Sequence, residues 1–431
     1  GGPVSMINNN LLTDSDFLTG AFPAEFGNAT AGVFDLNLRS GNNQNTEFTG
    51  QVGFNGFEAG VEGPAFKREN KPNPSYLINY RYSTLELMHE LGFSTNTGAA
   101  IPEYNDLTFL IDVPATNAGR FKLFGLRGKS FIALGHDISD STDNSYNARG
   151  TTTDFGSELG VLGLIHSHHL DKKTKIKSTL SYQKTNAETK IDSLKEAVEN
   201  IPFYRSRQGE EKISFSTRFI KKIDARNDFY MGMIADLYQV SFSDSVQDID
   251  LKGFRKVADD EGSLTLFRVF GQFHHIFPNN ISAFAGMHFQ FNTINNEFVA
   301  EPRLGLKIPS GEKGSLNFGF GIHSQLQPKN VYFDQFLDEN TGDYHMTNRD
   351  VGYTRSMHYV GGYDYLISNN FRLKLETYFQ HLYNIPVKES FPEFSMINAG
   401  DQFGLPRESD LINKGKGKNY GIEFTLEKFL S

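Results

Sequence analysis

The chain has 431 residues and a net charge of −9, and this acidic balance argues against a nucleic-acid partner. It contains no cysteine, which excludes disulfides, thiolate metal ligands and a cysteine nucleophile. No stretch reaches the roughly 18 consecutive apolar residues of a membrane-spanning helix, so the sequence predicts no such helix.

The first 41 residues differ from the rest of the chain. They are rich in glycine, asparagine and small side chains, and they lack a long alternation of apolar and polar residues. From about Thr46 onward such alternation dominates. We therefore divide the chain into a first unit, residues 1–41, and a second unit, residues 42–431.

The second unit consists of segments in which apolar and polar residues alternate. In the segment 371–380, Phe371 and Leu375 fall on one face of a strand and Arg372 and Lys374 on the other, because successive side chains point to opposite sides of a sheet. Strands of soluble sandwiches usually have about five or six residues, whereas a strand that crosses a bilayer needs about nine to eleven. The long segments therefore predict a membrane β-barrel that is apolar outside and polar inside.

The same alternation assigns individual side chains to the two sides of the barrel wall. One set is expected to face lipid: Phe371, Leu373, Leu375, Ile422, Phe424 and Leu426. The other is expected to face the lumen: Arg372, Lys374, Glu423 and Glu427.

The pattern predicts an all-β, antiparallel transmembrane barrel of about sixteen strands. The predicted strands are 46–54, 57–63, 75–85, 105–113, 119–134, 157–169, 174–185, 211–221, 226–242, 263–276, 281–292, 300–308, 314–326, 353–366, 371–383 and 417–430. Short turns alternate with long polar connections, as on the two rims of outer-membrane barrels. The long connections are predicted at 136–156, 186–210, 243–262, 327–352 and 384–416.

Two local signals refine this assignment. The dipeptide Asn55-Gly56 splits the first alternating stretch into two strands, because Asn-Gly is the strongest signal for a tight hairpin turn. In the connection 186–210, Asp192 is placed to cap a short helix over residues 193–199.

Several segments resemble TonB-dependent outer-membrane receptors, in particular the Bacteroidota type. Residues 1–41 contain GGPVSMINNNLL and SDFLTGAFPAEFGNATAGVFDLNLRSG, which look like the last third of the plug domain of such receptors. EPRLGLKIP, at 301–309, resembles a strand in the middle of their barrel. Further similar segments follow in the family's order: LNFGFGIHSQLQP, YVGGYDYLISNNFRLKLETYFQHLYNIPV and KGKNYGIEFTLEKFLS.

The resemblance implies a fold and a function. The fold would be the C-terminal part of a plug domain followed by a barrel in the outer membrane, and the function TonB-dependent uptake of a nutrient such as a siderophore, glycan, peptide or cobalamin. The implied partners are TonB, outer-membrane lipid and an unknown small substrate, with a SusD-like lipoprotein as a further candidate. No enzymatic activity, cofactor or resident metal is implied. A passive porin and a surface-exposed binding protein are the alternative functions.

The strand count leads to an expectation about completeness. Sixteen strands fall short of the about 22 of plugged transporters, and no TonB box or signal peptide is present in the sequence. The chain is therefore expected to be an internal fragment whose barrel is incomplete at its C-terminus. Its first and last strands are expected to lie apart.

The candidate site residues are charged groups that could link plug and barrel. Glu25, Asp35 and Arg39 of the first unit could pair with lumen-facing charges and lock the plug in place. The suitable barrel residues are Arg372, Lys374 and Glu376. The alternative interpretation is that all six are ordinary solvated charges in a wet lumen.

Two further patterns suggest metal ligands only weakly. His166 and His168 share a strand face, but two ligands without nearby carboxylates make a poor site. Asp338, Asn340 and Asp343 resemble part of a calcium loop that lacks its closing glutamate. Neither pattern predicts a metal site.

Overall fold

The computed structural model describes residues 7–53, 56–84, 102–134, 151–195, 199–248, 253–337, 341–399 and 407–429. The described residues form one large antiparallel sheet that curls into a barrel, with a small hairpin inside it. Among them, no helix is long and apolar enough to cross a membrane.

The hairpin comes first in the chain. Strands β1 (Asp16–Thr19) and β2 (Gly32–Asp35) pair antiparallel, so that Thr19 lies opposite Gly32. A 3-10 helix, Asn9–Leu11, precedes β1, and an isolated bridge joins Leu12 to Leu38. We call residues 8–12 and 38–42 the base of the hairpin, and residues 20–30 its tip.

Among the described residues, seventeen strands form the barrel sheet. Sixteen of them are long, close to the predicted number of about sixteen, and the seventeenth is the short β20 (Phe391–Ser395). Each pairs with the next along the chain, apart from short strands in the connections. The wall strands are β3 (Glu47–Gly53), β4 (Gly56–Pro64), β5 (Ser75–Tyr82), β6 (Glu103–Ala115), β7 (Gly119–Leu134), β8 (Thr151–His169), β9 (Thr174–Lys195), β10 (Glu199–Lys222), β11 (Asn227–Asp248), β12 (Gly253–Ile276), β13 (Ser282–Asn292), β14 (Phe298–Ser310), β15 (Gly314–Gln325), β18 (Thr354–Ser368), β19 (Phe371–Lys388) and β21 (Leu411–Lys428). The short strands are β16 (Phe336–Leu337), β17 (Tyr344–His345) and β20 (Phe391–Ser395).

The expectation that the first and last strands lie apart concerns the junction of β3 and β21. The strand order runs around a closed barrel in which β3 follows β21. Within the described residues, however, no continuous register links these two strands, and each is paired on its other side only. Phe48 of β3 is 81% exposed and Ile422 of β21 is 76% exposed. The barrel thus has a seam with less backbone pairing than its other strand junctions.

The predicted alternation is confirmed by the register between β19 and β21. Leu375 lies opposite Phe424, and both are among the exposed apolar side chains of the outer surface. Arg372 lies opposite Glu427 on the other face, where its guanidinium contacts Glu427 and Asp364. Because the register pairs apolar with apolar and charged with charged residues, the two faces of the wall keep separate characters.

The two strands that the Asn55-Gly56 signal separates are present and pair with each other. Gly53 pairs with Gly56, so the connection consists of residues 54–55, which lie outside the described residues. Gly56 has a φ of +151° and begins β4. The Asn-Gly signal therefore separated the two strands correctly.

Two of the predicted long connections are wrong, and so is the helix in one of them. Strands β9 and β10 continue into the range 186–210, and Ser193 pairs there with Ile201. Strands β11 and β12 likewise continue to Asp248 and from Gly253. Periodicity did not predict these extensions as strands because they lack a regular apolar face. At residues 193–195 and 199, cross-strand pairing outweighs the weak helical preference of the sequence.

The main apolar cluster lies inside the barrel. The connection 326–353 folds inward and carries a short helix, α1 (Asn330–Phe333). Its Val331, Tyr332 and Phe333 are buried against wall residues that include Leu264 and Leu266. These wall residues share a lumen-facing side with Gln272, which contacts the hairpin. One side of the lumen is therefore packed like a protein core.

The orientation of the wall can be tested by placing a charge on either face of β10. We expect Phe215→Lys to destabilise the folded protein by about 2–4 kcal/mol, because Phe215 faces lipid near the middle of the wall. Ser216→Lys is the matched control, since Ser216 faces the wet lumen. Urea unfolding in lipid vesicles measures both effects, and equal destabilisation by the two substitutions would contradict the assigned faces.

Candidate functional site

The tip of the hairpin is docked against the wall formed by β12 to β18. The backbone N–H of Ala24 donates to Gln272 Oε1 at 3.0 Å, and His288 Nδ1 donates to the carbonyl of Ala24 at 2.6 Å. Farther along, His358 Nε2 donates to the carbonyl of Thr30 at 3.0 Å. Barrel side chains thus bind backbone groups of a loop that has no strand partner of its own.

Phe22 inserts as a knob at the centre of this contact. Its ring lies 4.1 Å from the ring of His323, between centroids, and the Arg303 guanidinium lies 4.9 Å from its centroid. Arg303 also donates to the carbonyls of Phe22 and Phe26, at 3.1 Å and 3.3 Å. Only 2% of Phe22 is exposed. The knob is held by apolar burial, cation–π attraction and hydrogen bonds together.

Arg303 is held in turn by a buried carboxylate. Arg303 and Glu301 are both 0% exposed, and their side chains form an ion pair at 2.5 Å. Gln290 Nε2 donates to Glu301 at 2.6 Å and to the carbonyl of Ser324 at 3.1 Å. Removal of one partner from such a pair leaves an uncompensated buried charge, which typically costs about 3–5 kcal/mol. The network therefore fixes Arg303 in the position where it binds the tip.

Glycines allow the tip to approach the wall this closely. A Cβ at Gly27 would lie 2.1 Å from His288 Nε2, and a Cβ at Gly286 would lie 2.8 Å from the Cβ of Ala24. Any side chain at these positions would displace the tip. Gly27 therefore allows close packing between the tip and the wall.

The base of the hairpin contacts a different arc of the wall, β4 to β6, through polar side chains. Asn8 Nδ2 donates to Asn79 Oδ1 at 3.2 Å, and Asn10 Nδ2 donates to Glu58 Oε2 at 3.1 Å. Arg39 forms a bidentate pair with Glu62, with both N–O distances at 2.7 Å. The hairpin consequently spans the lumen between two arcs of the barrel.

The six predicted charged residues are all described, and their partners can be given. Glu25 pairs with Arg218 of β10, and Arg39 pairs with Glu62 of β4. Among the described residues, Asp35 forms no ion pair. Arg372 contacts Asp364 and Glu427, and Lys374 contacts Glu376 at 2.9 Å, all within the wall. The charged residues of the hairpin therefore pair with barrel residues other than the predicted Arg372, Lys374 and Glu376.

The residues that carry the tip contact were not among the sequence-based candidates. Arg303 and His288 stand on strands whose neighbouring residues are largely apolar, and Phe22 lies in an irregular loop. A charged residue such as Arg303 on the lumen face is ordinary in a barrel, so its type alone gave no signal. Only the placement of the loop beside it identifies the contact.

A large cavity occupies the lumen beside strands β5 to β12. It has a volume of about 1030 Å³ and is lined by aromatic and polar residues. Those whose side chains fall on the lumen face of their strands are Tyr104, Ser130, Ser157, Gln208, Phe242 and Asp260. A cavity of this size accommodates a small molecule.

The connection 326–353 borders this cavity through Asp260. Gln335 Nε2 donates to Asp260 Oδ1 at 3.0 Å, and Arg407 donates to the carbonyl of Gln335 at 2.9 Å. Asp334 accepts a hydrogen bond from Asn330 Nδ2 at 3.2 Å. Burial raises the pKa of the Asp334 carboxyl from its ordinary value near 3.8 to about 7, although nearby Arg407 opposes the rise. Asp334 thus titrates near neutral pH.

The histidines near the short turns have local partners. His166 contacts the carbonyl of Ala118 at 2.7 Å, and its ring stacks on Phe121. His274 lies between Asp228 and Ser282, at 2.9 Å and 2.6 Å. Within the described part of the chain, no group of three or more histidine, aspartate or glutamate side chains is arranged to hold a metal ion. Asp338 and Asn340 of the calcium-like pattern lie outside the described residues.

Comparison with known proteins places the fold among outer-membrane receptors. No protein-family model matches the sequence, and no curated protein matches it. Three similar solved structures are the siderophore receptor PirA from Acinetobacter baumannii, a mutant of the ferric enterobactin receptor PfeA from Pseudomonas aeruginosa, and the copper transporter OprC. The sequence identities are 14%, 13% and 10%, and the TM-scores 0.64, 0.63 and 0.68.

The alignments cover nearly all of this chain but only part of those proteins. They include 96%, 97% and 99% of this chain, respectively. The chain spans 64%, 65% and 65% of the length of the three proteins in the same order. At such low sequence identity the likeness concerns the fold.

The docking of the tip can be tested by truncating the knob. We expect Phe22→Ala to weaken the docking of the tip by about 3–5 kcal/mol, because it leaves a cavity beside Arg303 and His323. Hydrogen exchange at the amide of Ala24 measures this loss. Phe17→Ala is the control, because Phe17 is 57% exposed on the hairpin. Unchanged exchange in Phe22→Ala would show that the knob does not hold the tip.

The high pKa of Asp334 leads to a pH effect on the connection 326–353. A carboxyl whose pKa is raised by folding favours the folded loop when it is protonated, and this contribution is lost as the pH rises through about 7. We therefore expect proteolysis within this connection to be slower at about pH 5 than at about pH 8. Asp334→Asn should remove the difference. Asp343→Asn, at an exposed position of the same connection, should retain it.

Proposed function

We propose that this chain, which has the fold of TonB-dependent outer-membrane receptors, belongs to a protein for active nutrient uptake across the outer membrane. In this proposal, residues 1–41 are the C-terminal part of a plug domain, and residues 42–431 belong to the transmembrane barrel. TonB would supply the pull that opens the plug.

The observation that carries the proposal is the hairpin fixed across the lumen. A passive channel needs a free lumen, whereas here the tip and the base each bind a different arc of the wall. The tip is bound by buried hydrogen bonds and the Phe22 knob, which would have to be broken before a solute passes. Contacts of this kind are expected in a closed state that opens only when an external energy source breaks them.

The cavity beside β5 to β12 is the proposed substrate site. Its volume of about 1030 Å³ suits a small molecule, and its aromatic and carboxylate side chains offer stacking surfaces and hydrogen-bond acceptors. PirA and PfeA are named for siderophores and OprC for copper. The substrate of this protein belongs to the same broad class of scarce nutrients, and a SusD-like lipoprotein is a proposed further partner at the outer face.

Ion pairs between hairpin and wall are proposed to help to hold the closed state. The pairs Glu25–Arg218 and Arg39–Glu62 join parts of the chain that are distant in sequence. In each pair, one side chain is about one-third exposed to solvent. The two pairs therefore contribute less to the stability of the closed state than the buried Arg303 network does. Asp35, Arg372, Lys374 and Glu376 are proposed to set the charge of the lumen around them.

Bilayer conductance distinguishes uptake from passive diffusion. We expect the full-length protein to conduct little in planar bilayers, because the hairpin blocks the lumen, and a variant without residues 7–41 to conduct steadily. In cells, accumulation of labelled ferric siderophores or glycans through the intact protein should require TonB. A steady open channel in the intact protein would instead support the porin alternative.

A further inference from the structure

Four side chains form a row across neighbouring strands of the wall, from β7 to β10. Arg120 lies opposite Ser167, and Ser167 lies opposite Lys177. Lys177 in turn lies opposite Arg218. Residues directly opposite each other in an antiparallel sheet point to the same side, with Cβ atoms about 4.5–5.5 Å apart. We call these four residues the cationic row, because it contains three cations, one hydroxyl group and no carboxylate.

Both ends of the cationic row contact the hairpin, so the row faces the lumen. Arg120 Nη2 donates to Ser40 Oγ at 3.5 Å, and Arg218 pairs with Glu25. Arg120 is the second residue of β7, which follows one of the short turns. The cationic row therefore lies near the mouth of the barrel that bears the short turns.

The centre of the cationic row lacks a carboxylate partner. Arg120 is bound by Asp112, whose Oδ1 accepts from Nε at 2.6 Å, and Arg218 is bound by Glu25. Lys177 is partly exposed, and it forms no ion pair or hydrogen bond with another residue that the structure describes. Its ammonium group lies within electrostatic range of Arg218 and of Asp35 in the hairpin. One cation of the row is thus left free to bind a ligand.

Other cations on the lumen face are neutralised by carboxylates of neighbouring strands. Arg81 pairs with Asp106 at 2.7 Å, and Arg372 pairs with Asp364 at 2.6 Å. The centre of the cationic row instead places a lysine directly opposite an arginine, and like charges in opposed positions are destabilising. An anion bound between the two groups would remove this repulsion.

The donors of the cationic row suit an oxyanion in particular. A guanidinium has five N–H donors and an ammonium has three, so Arg218 keeps donors free beside Glu25, and Lys177 keeps all of its own. The Ser167 hydroxyl adds a further donor between Arg120 and Lys177. Hydrogen bonds from charged donors to phosphate or carboxylate oxygens are about twice as strong as those between neutral groups.

We propose that Ser167, Lys177 and Arg218 form a binding site for an oxyanion, the phosphate or carboxylate group of a small acidic solute. Glu25 binds one side of the Arg218 guanidinium, and the oxyanion binds the free donors of Arg218 together with Lys177. The site requires neither TonB nor transport, and in this respect it goes beyond the proposed function. Only its consequence for uptake, a preference for acidic solutes, rests on that function.

The charge around the cationic row can be measured with two matched cysteine variants of the full-length protein in detergent micelles, which leave both mouths of the barrel accessible. Ser167→Cys lies in the row, and Ser157→Cys lies on the same face of the same strand, beside the cavity. Both serines are partly exposed, and this chain contains no other cysteine. The reagents are two methanethiosulfonates of similar size, one with a sulfonate group and the other with a trimethylammonium group.

We expect the ratio of the sulfonate rate to the trimethylammonium rate to be about tenfold higher at Ser167→Cys than at Ser157→Cys, because the row attracts anions. Addition of Lys177→Gln should lower the ratio at Ser167→Cys severalfold, whereas Lys177→Arg should preserve it. Lys190→Gln, an exposed position near the other end of β9, should also leave it unchanged. Equal ratios at the two serines, or equal effects of Lys177→Gln and Lys190→Gln, would overturn the proposed site.

Protection by anions identifies the ligand class. Inorganic phosphate or acetate is added while a neutral methanethiosulfonate modifies Ser167→Cys, and potassium chloride at equal ionic strength is the control for charge screening. We expect saturable protection by an oxyanion, and the anion with the lower Kd assigns the phosphate or the carboxylate class. Lys177→Gln should raise this Kd about tenfold, as expected for the loss of one charge-assisted hydrogen bond. No protection by either oxyanion, or equal protection by chloride, would overturn the proposal. These measurements use no TonB, so their result is independent of the proposed uptake.

Discussion

A backbone amide or carbonyl group inside a bilayer finds no water, so it must form its hydrogen bond within the protein or cost several kcal/mol. The whole wall follows from this constraint. Each strand pairs with the next along the chain, and residues of like character lie opposite each other, as in the β19–β21 register. The seam between β3 and β21 is where the described residues satisfy the constraint least. Because the outer face must be apolar, chemical variety is confined to the lumen face and to the connections.

That confinement explains why the apolar core lies in an unusual place. In a soluble protein the core lies between layers of secondary structure. Here Tyr332, Phe333 and their neighbours pack against the inner face of the wall, and they fill one side of the lumen while the other keeps a cavity. The hairpin joins the two sides, with an apolar knob where the lumen is packed and polar side chains where it is open. The two contacts thus match the chemistry of the wall that each one meets.

Sequence periodicity was sufficient for the features that the bilayer dictates. The alternation at 371–380 predicted which residues face lipid, and the number of long strands was correct. Periodicity failed in segments that do not face lipid. The outer parts of β9 to β12 lack an apolar face, and Ser193 and its neighbours therefore could not be recognised as strand residues. It also could not identify the site. Glu25 and Arg39 were suggested by charge, but their partners Arg218 and Glu62 depend on how an irregular loop lies in the barrel. Nothing in the local sequence distinguishes Arg303 from other lumen-facing cations.

The hairpin is continuous with the wall, since only a few residues separate Gly41 at its base from Glu47 at the start of β3. A segment of six residues reaches at most about 20 Å, so a released hairpin stays close to the barrel mouth. Its return is an intramolecular reaction, for which short tethers give effective concentrations on the order of millimolar. Under the proposed function, the free energy of docking Phe22 and its hydrogen bonds would drive this return without any input of work. Each transport cycle would then need energy only to open the barrel, because the docked state of the hairpin would form again spontaneously.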